Sequence, residues 1–335
     1  MTTKFHEKNV AIFAEVQVSE GTPATIVAAD AIAVTEVTGG ETRTTEAFQY
    51  LGDSLDRSEI TTVKDTFANV TLKTMMPTLG TLNPSLTEDN VPLSKLWRSC
   101  GGDLAVNGTT GEVTITNSIV ADELLTLEYR KSSPEATGGD QKVFVFSDCR
   151  GSVDISLEAG SRTTVTFNYL GNSATPTMET AITPNIGNQI INAAAVVELA
   201  NMQTATIEEI TDLTGPTYGA PQTFCVNTFN APNFFGFEYE RYKLTCQEGY
   251  TKGATPTDVT AVILEDEVGG TDFDPDANVT KYFRVTLKWG LGAGKFVTLQ
   301  MNQLQLANVA EAKISKYFGR ELSLRNTGTS TIILN

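Results

Sequence analysis

The sequence predicts a mainly β protein built as two halves in tandem, and three observations predict it. The stretch from Lys142 to Gly171 carries three successive strand signals in which apolar and polar residues alternate with a period of two. A stretch of the same design, Lys295 to Gly328, closes the chain. The composition is that of strands and turns: 40% hydrophobic, only 19% charged, with 27 glycines and threonine throughout, whereas average soluble proteins are about 25% charged.

Within the first stretch the strands run Val143 to Phe146, Ser152 to Leu157 and Thr163 to Tyr169. Asp148, Arg150-Gly151 and Glu158-Ala159-Gly160-Ser161 read as the breaks between them. Val153, Ile155 and Leu157 fall on one face, Asp154, Ser156 and Glu158 on the other. Val165, Phe167 and Tyr169 alternate in the same way with Thr164, Thr166 and Asn168. One face is core and the other wet. The closing stretch opens with Lys295 and a short apolar strand, sets Met301, Gln303 and Gln305 opposite Leu304 and Leu306, and ends on Leu322 and Leu324. The two read as a divergent internal duplication, with two unrelated hairpin sheets as the alternative.

In chain order, residues 1–8 are a polar arm without periodicity. Strand signals follow at Val10 to Val18 and within residues 24–37, and Gly39-Gly40 ends the second. Glu41 to Tyr50 is a threonine-rich, charged lead into Val63 to Met75. There Ala68, Val70, Leu72 and Thr74 oppose Asn69, Thr71, Lys73 and Met75, until Pro77 stops the strand. Leu93, Leu96, Trp97 and Cys100 lie at i, i+3, i+4 and i+7 and predict the one helix, stopped by Gly101-Gly102, with Trp97 as its core anchor. Strands resume at Val113 to Ile115 and Leu124 to Arg130. Residues 176–188 read as a linker between a first domain, 1–175, and a second, 189–335. The second half offers strands near Thr223 to Phe229, Phe234 to Leu244, Val259 to Leu264 and Tyr282 to Trp289, with a charged insertion from Glu265 to Asn278.

The composition narrows the chemistry. The net charge of −16, from 24 basic and 40 acidic residues, argues against tight nucleic-acid binding, which needs a basic face to displace counterions. It equally argues against an anionic membrane surface. Cys100, Cys149, Cys225 and Cys246 are scattered singly and read as thiols, since no pair has the C-x-x-C spacing of a zinc or redox site. The N-terminal residues lack the apolar core of a signal peptide, and no stretch approaches the roughly 20 apolar residues of a membrane helix. The one histidine, His6, lies in the arm, so a histidine-based triad or metal site lacks its parts. No cofactor, metal or enzymatic activity is expected. Asp272 to Asn278 alternates acids like the start of a calcium loop, but Ala277 stands where the loop glycine belongs and Phe283 where its terminal glutamate belongs. Gly290 to Lys295 is glycine-rich, yet Lys295 leads into a strand and not the helix a phosphate cradle needs. Phe229, Phe234, Phe235, Phe237, Tyr239 and Tyr242 read as core or subunit-interface packing before they read as a binding surface.

As a whole the pattern resembles the major tail tube proteins of long-tailed, siphovirus-type bacteriophages, in the family with two tube-like halves. The residues that carry the resemblance are AEVQVSEGTP (14–23), ITTVKDTFANVTLKTMMP (60–77), PLSKLWRSCGG (92–102), FSDCRGSVDISLEAGSRTTVTFNYLG (146–171) and KFVTLQMNQLQLANVAEAKI (295–314). The lysine-rich strand pair after Ala310 and the loop at 265–278 depart from it. The resemblance implies a tail-tube-like β-sandwich in each half, strands of neighbouring subunits joining into a closed inner barrel, and rings stacking into a hollow tube in the virion tail. It implies a tape-measure protein and a tail terminator as partners, assembly in the host cytoplasm, and DNA that passes without specific binding. A real duplication gives three subunits per ring with pseudo-sixfold symmetry, and a false one gives six.

On that reading Asp65, Asp154 and Glu158 are candidate lumen-facing acids, because an acid-lined wall repels phosphates. Lys4 and Phe5 in the arm, and Glu41, Arg43, Asp53 and Arg57 in the segment read as a loop from Glu41 to Glu59, are candidate ring-to-ring contacts. A carbohydrate-binding or adhesin-type β-sandwich is the alternative, motivated by the aromatic group. A different virion shell component, such as a decoration protein, is a third reading.

Overall fold

The computed structural model describes residues 10–51, 57–132, 140–185, 192–194, 201–243, 248–264, 273–292 and 295–335. The first half contains β1 (Val10–Val16), β2 (Ala31–Ile32), β3 (Glu36–Leu51), β4 (Arg57–Met75), β5 (Pro77–Thr78), α1 (Ser94–Ser99), β6 (Gly102–Val106), β7 (Val113–Asn117), β8 (Leu125–Ser132), β9 (Asp140–Glu158), β10 (Thr164–Ser173) and β11 (Thr177–Thr180). The second contains β12 (Asn192–Ala193), β13 (Met202–Asp212), β14 (Thr217–Tyr218), β15 (Gln222–Thr223), β16 (Val226–Ala231), β17 (Phe237–Lys243), β18 (Glu248–Ala254), β19 (Thr257–Leu264), β20 (Tyr282–Gly290), β21 (Phe296–Ile314), β22 (Tyr317–Asn326) and β23 (Ser330–Leu334). The fold is mainly β, and 19 of these strands share one antiparallel hydrogen-bonded network.

Two long strands organise that network. The segments 143–146 and 152–157, expected as separate strands, are one strand, β9, and the expected break at Asp148 is a kink inside it. Asp148 takes a left-handed conformation, φ +53°, which short polar side chains tolerate best. Its buried carboxylate accepts hydrogen bonds from Gln17 Nε2 (3.1 Å), the Gly21 N–H (2.8 Å) and Asn172 Nδ2 (2.9 Å). At this kink the register against β8 slips between Leu125 and Leu127, and against β10 between Leu170 and Asn172. Before it β9 pairs chiefly with β8 and β11, and beyond it chiefly with β10 and β16, with β10 reaching back to Ser147 and Phe146 and β8 forward to Cys149. A bulged strand that passes from one sheet to another is how a sandwich turns a corner.

β21 does the same. Its partner β20 slips register between Phe283 and Val285, at the corresponding rungs, and β22 slips against it between Leu306 and Asn308. The slip also corrects the expected alternation there, because Met301 faces the core together with Leu304 and Leu306.

The likeness of the two halves extends to the whole pairing pattern. In the first, β1 pairs with β2 and β8, β3 with β4, β4 with β10, and β9 with β8, β10 and β11. In the second, β13 pairs with β15 and β20, β16 with β19, β19 with β22, and β21 with β20, β22 and β23. The same eight strands meet in the same way, in the same chain order. The halves are tied together by β9 with β16, by β7 with β23 and by β5 with β12.

One core serves both halves, running from Leu72, Trp97 and Phe167 to Phe229, Trp289 and Leu304. The helix expected over 93–100 is present as α1. Trp97 is fully buried with its ring centroid 4.9 Å from that of Phe167 and 6.4 Å from that of Phe235. The Tyr169 hydroxyl donates to the Leu96 carbonyl (3.1 Å) and so ties β10 to the helix. Burial pushes the thiol of Cys100, on the same helix end, up to about 12.

Three expectations change. Glu41 to Glu59 is not a loop, because β3 runs to Leu51 and β4 begins at Arg57. Residues 176–188 are not all linker, because β11 pairs with the start of β9. The strand expected from Phe234 begins at Phe237, since Phe234 and Phe235 form a turn. No helix among the described residues is long and apolar enough to cross a membrane.

Replacing Asp148 with alanine removes the acceptor that holds Gln17, Gly21 and Asn172 and leaves a β-carbon in the left-handed region. Urea denaturation of Asp148→Ala is expected to show a loss of about 3 kcal/mol. A loss under about 1 kcal/mol, the size of one ordinary hydrogen bond, contradicts the kink as the anchor of β9.

Candidate functional site

The feature that the sequence arranges most consistently is a sheet face. Strand pairing joins β3, β4, β10, β9, β16, β19, β22 and β21, in that order, into one eight-stranded ladder that crosses from the first half into the second. Alternation gives each strand one core face and one wet face. In β9 and β10 these are the faces expected from the sequence: Val153, Ile155, Leu157, Val165, Phe167 and Tyr169 are buried.

The wet face is made of small polar residues in rows. One row runs Thr164, Ser156, Asn230, Thr260, Ser323 and Asn308 across six strands. A second runs Glu36, Lys73, Thr166 and Asp154, and a third Glu158, Thr228, Val262 and Glu321. Asp258 and Arg325 pair on the same side. On these rungs its acids are Glu36, Asp154, Glu158, Asp258 and Glu321, against the bases Lys73 and Arg325, with the largely buried Arg150 on the same side further along β9.

Of the sequence-expected lumen acids, Glu158 is exposed on this face, at the rung where β9 meets Thr228 of β16. Asp154 is half-buried and already employed: it accepts from Asn168 Nδ2 (2.8 Å) and from the Asn233 N–H (2.8 Å). It holds the two halves together as much as it faces solvent. Asp65 pairs with Thr44 in the outer part of the β3–β4 hairpin. The same hairpin carries Arg43 and Arg57, opposite Thr66 and Leu51, so these are strand positions and not loop positions. Glu41 is half-buried near its base and accepts from Ser173 Oγ (3.5 Å). Lys4, Phe5 and Asp53 lie outside the described residues.

The ladder has a joint and two ends. At the joint, Thr228, Phe229, Asn230 and Ala231 of β16 pair with Glu158, Leu157, Ser156 and Ile155 of β9. The chain after β16 continues along β9, where the Phe234 N–H donates to the Val153 carbonyl (2.6 Å). Phe229, Phe234, Phe235 and Phe237 are buried there and Tyr239 nearly so. These five aromatics are packed at the joint, while Tyr242, on β17, is half-buried. At the ends, among the described residues, β3 pairs only with β4, and β21 beyond Leu306 pairs only with β22. The ladder therefore does not close into a barrel within one chain. An unpaired edge is a template for another strand.

Other candidate constellations resolve into structure. The Asp274 carboxylate accepts from the Asp276 and Ala277 N–H groups in a local turn, while Phe273 packs edge-on against Phe283, at 5.5 Å. The glycine-rich segment turns β20 into β21, with Gly290 paired to Phe296. In a cleft lined in part by Glu15, Asp30 and Lys95 these charges are engaged with one another, Lys95 Nζ lying 2.5 Å from Glu15 and 2.9 Å from Asp30. Burial there, with the hydrogen-bonded Asp30 carboxyl beside it, holds Glu15 above the ordinary carboxylate range. No cluster of three or more histidine, cysteine or acidic side chains that could hold a metal occurs among the described residues. The chain matches no protein-family model and no curated protein.

The two acids of β9 separate by experiment. Asp154→Ala takes the acceptor from the Asn233 N–H and from Asn168 Nδ2 and is expected to lose about 1–3 kcal/mol in urea denaturation. Glu158→Ala, exposed, is expected to stay within about 0.5 kcal/mol of wild type. Equal effects would contradict these placements.

Proposed function

We propose that this protein is the structural subunit of a phage tail tube: copies join edge to edge into rings, and rings stack into a hollow conduit through which DNA leaves the virion. The observation that carries the reading is the eight-stranded ladder, made of two four-stranded repeats, polar on one face and unpaired at both ends. A sheet with two unpaired ends removes them by joining its copies, and a closed barrel has no edges left. The two ends differ, so the contact is head-to-tail, which gives rings when the rotation closes. Two repeats per chain favour three chains per ring with pseudo-sixfold symmetry.

The polar face suits the inner wall. Small hydroxyl and amide side chains, with acids outnumbering bases, give a duplex a net repulsive wall. A tape-measure protein before ejection and a terminator at the tube end belong to the same reading. Its placement in the virion tail rests on the sequence resemblance together with this geometry.

Negative-stain micrographs of the concentrated protein are expected to show rings or hollow tubes, with threefold symmetry in the ring. Compact single particles at every concentration would overturn the reading. Charge reversal of the face gives a second check: Glu158→Lys with Glu321→Lys is expected to leave tubes intact and slow DNA ejection from reconstituted particles. Unchanged ejection kinetics would remove the face from the lumen.

A further inference from the structure

The repeat allows the contact between copies to be written residue by residue. β4 makes eight rungs with β10, from Ala68↔Gly171 to Met75↔Thr164, and β19 makes eight with β22, from Thr257↔Asn326 to Leu264↔Gly319. Ala68 therefore corresponds to Thr257 and Thr164 to Gly319. Across the next strand pair, Thr38 sits opposite Thr71 and Asn230 opposite Thr260, so Thr38 corresponds to Asn230. On the other side, Ser156 sits opposite Thr164 and Ala312 opposite Gly319, so Ser156 corresponds to Ala312.

Inside the chain, Asn230 pairs with Ser156 at the joint. Their counterparts, Thr38 and Ala312, lie on the two unpaired edges. We propose that the joint recurs between copies: β3 of one chain adds antiparallel to β21 of the next, in the register Glu36↔Ile314, Val37↔Lys313, Thr38↔Ala312 and Gly39↔Glu311. This rests on the ring reading above, since it names the contact by which the ring closes. The occupant of each edge is a second copy of this chain, by continuity with the internal joint.

A second observation points to the same neighbour. The turn between β9 and β10 is exposed at Ala159 and Gly160, but at its end Thr163 is fully buried and Arg162 Nη1 donates to the Ala194 carbonyl (3.2 Å). Ala194 belongs to the segment just ahead of β13. The counterpart turn between β21 and β22 carries Tyr317 and Phe318, 68% and 77% exposed. Because Thr164 corresponds to Gly319, Arg162 and Thr163 correspond to Tyr317 and Phe318, and the copy whose β3 docks on β21 is the one placed to cover them. Strand addition and an aromatic anchor then act together.

The test is disulfide trapping in the full chain with Cys225 and Cys246 replaced by serine. Directly opposed residues of an antiparallel pair have Cα atoms about 4.5–5.5 Å apart, within reach of a disulfide. A variant with Thr38→Cys and Ala312→Cys is expected to give, on oxidation, covalent multimers that end at a closed ring and return to single chains on reduction. Val37→Cys with Lys313→Cys, one rung away, guards against a variant that fails to fold. No trapping by either pair, under conditions where the wild-type chain associates, overturns the joint. Tubes without trapping overturn the joint and leave the tube reading standing. Trapped rings that never stack support the joint and overturn the tube reading. A wild-type chain that stays monomeric at every concentration overturns both. Phe318→Asp is expected to raise the concentration needed for association at least tenfold while leaving the melting of the single chain unchanged; unaltered association would overturn the cover on the turn.

Discussion

Everything else in this structure depends on the pairing of β16 with β9. A long antiparallel sheet must satisfy the N–H and C=O groups of its outer strands, and leaving them bare invites uncontrolled pairing. Here four rungs between Thr228–Ala231 and Ile155–Glu158 convert two four-stranded sheets into one of eight. The aromatic turn that follows, with Phe234 and Phe235 fully buried against the core that holds Trp97, fixes the halves on each other. Without that joint there would be four unsatisfied edges in place of two, and neither half would have a complete core.

Much of this was legible in the sequence, for a physical reason. Period-two alternation is enforced wherever one face is buried, so the faces of β9, β10 and the inner part of β4 follow directly from Val153, Phe167, Leu72 and their neighbours. The helix around Trp97 was legible because apolar spacing and a glycine stop agree. Where sequence reasoning fails, it fails at bulges. Asp148 and Arg150-Gly151 carry turn chemistry, yet they kink a continuous strand, because Gln17, Gly21 and Asn172, all remote in sequence or across the turn, supply the partners that a loop would have sought in water. The same slip in β21 brings Met301 and Leu304 to one side, which strict alternation assigns to opposite sides.

The likeness of the two halves was visible only as a pattern, and the extent of the shared strand pairing was not. Identity between the halves is low because strand pairing constrains backbone groups, while side chains need only keep their face. Where Ile155 and Leu157 fill a buried position in the first half, Glu311 and Lys313 stand in the second. The sequence also gave no signal for the joint itself. The six aromatics between Phe229 and Tyr242 announced packing, but which surface they pack against is a matter of long-range topology that local spacing does not encode. Charged residues such as Glu311 and Lys313 along a bare edge are a familiar way of keeping a strand from pairing with the wrong partner.

Carrying both repeats on one chain has a consequence for how association depends on dilution. Two segments on one polypeptide meet at a local concentration fixed by the chain between them, whatever the amount of protein in solution. The β9–β16 joint therefore forms during folding as an intramolecular event. In any closed ring built from this chain, every second seam is then present before two molecules collide, and the number of seams left to form between molecules is half that of a ring of single-repeat units.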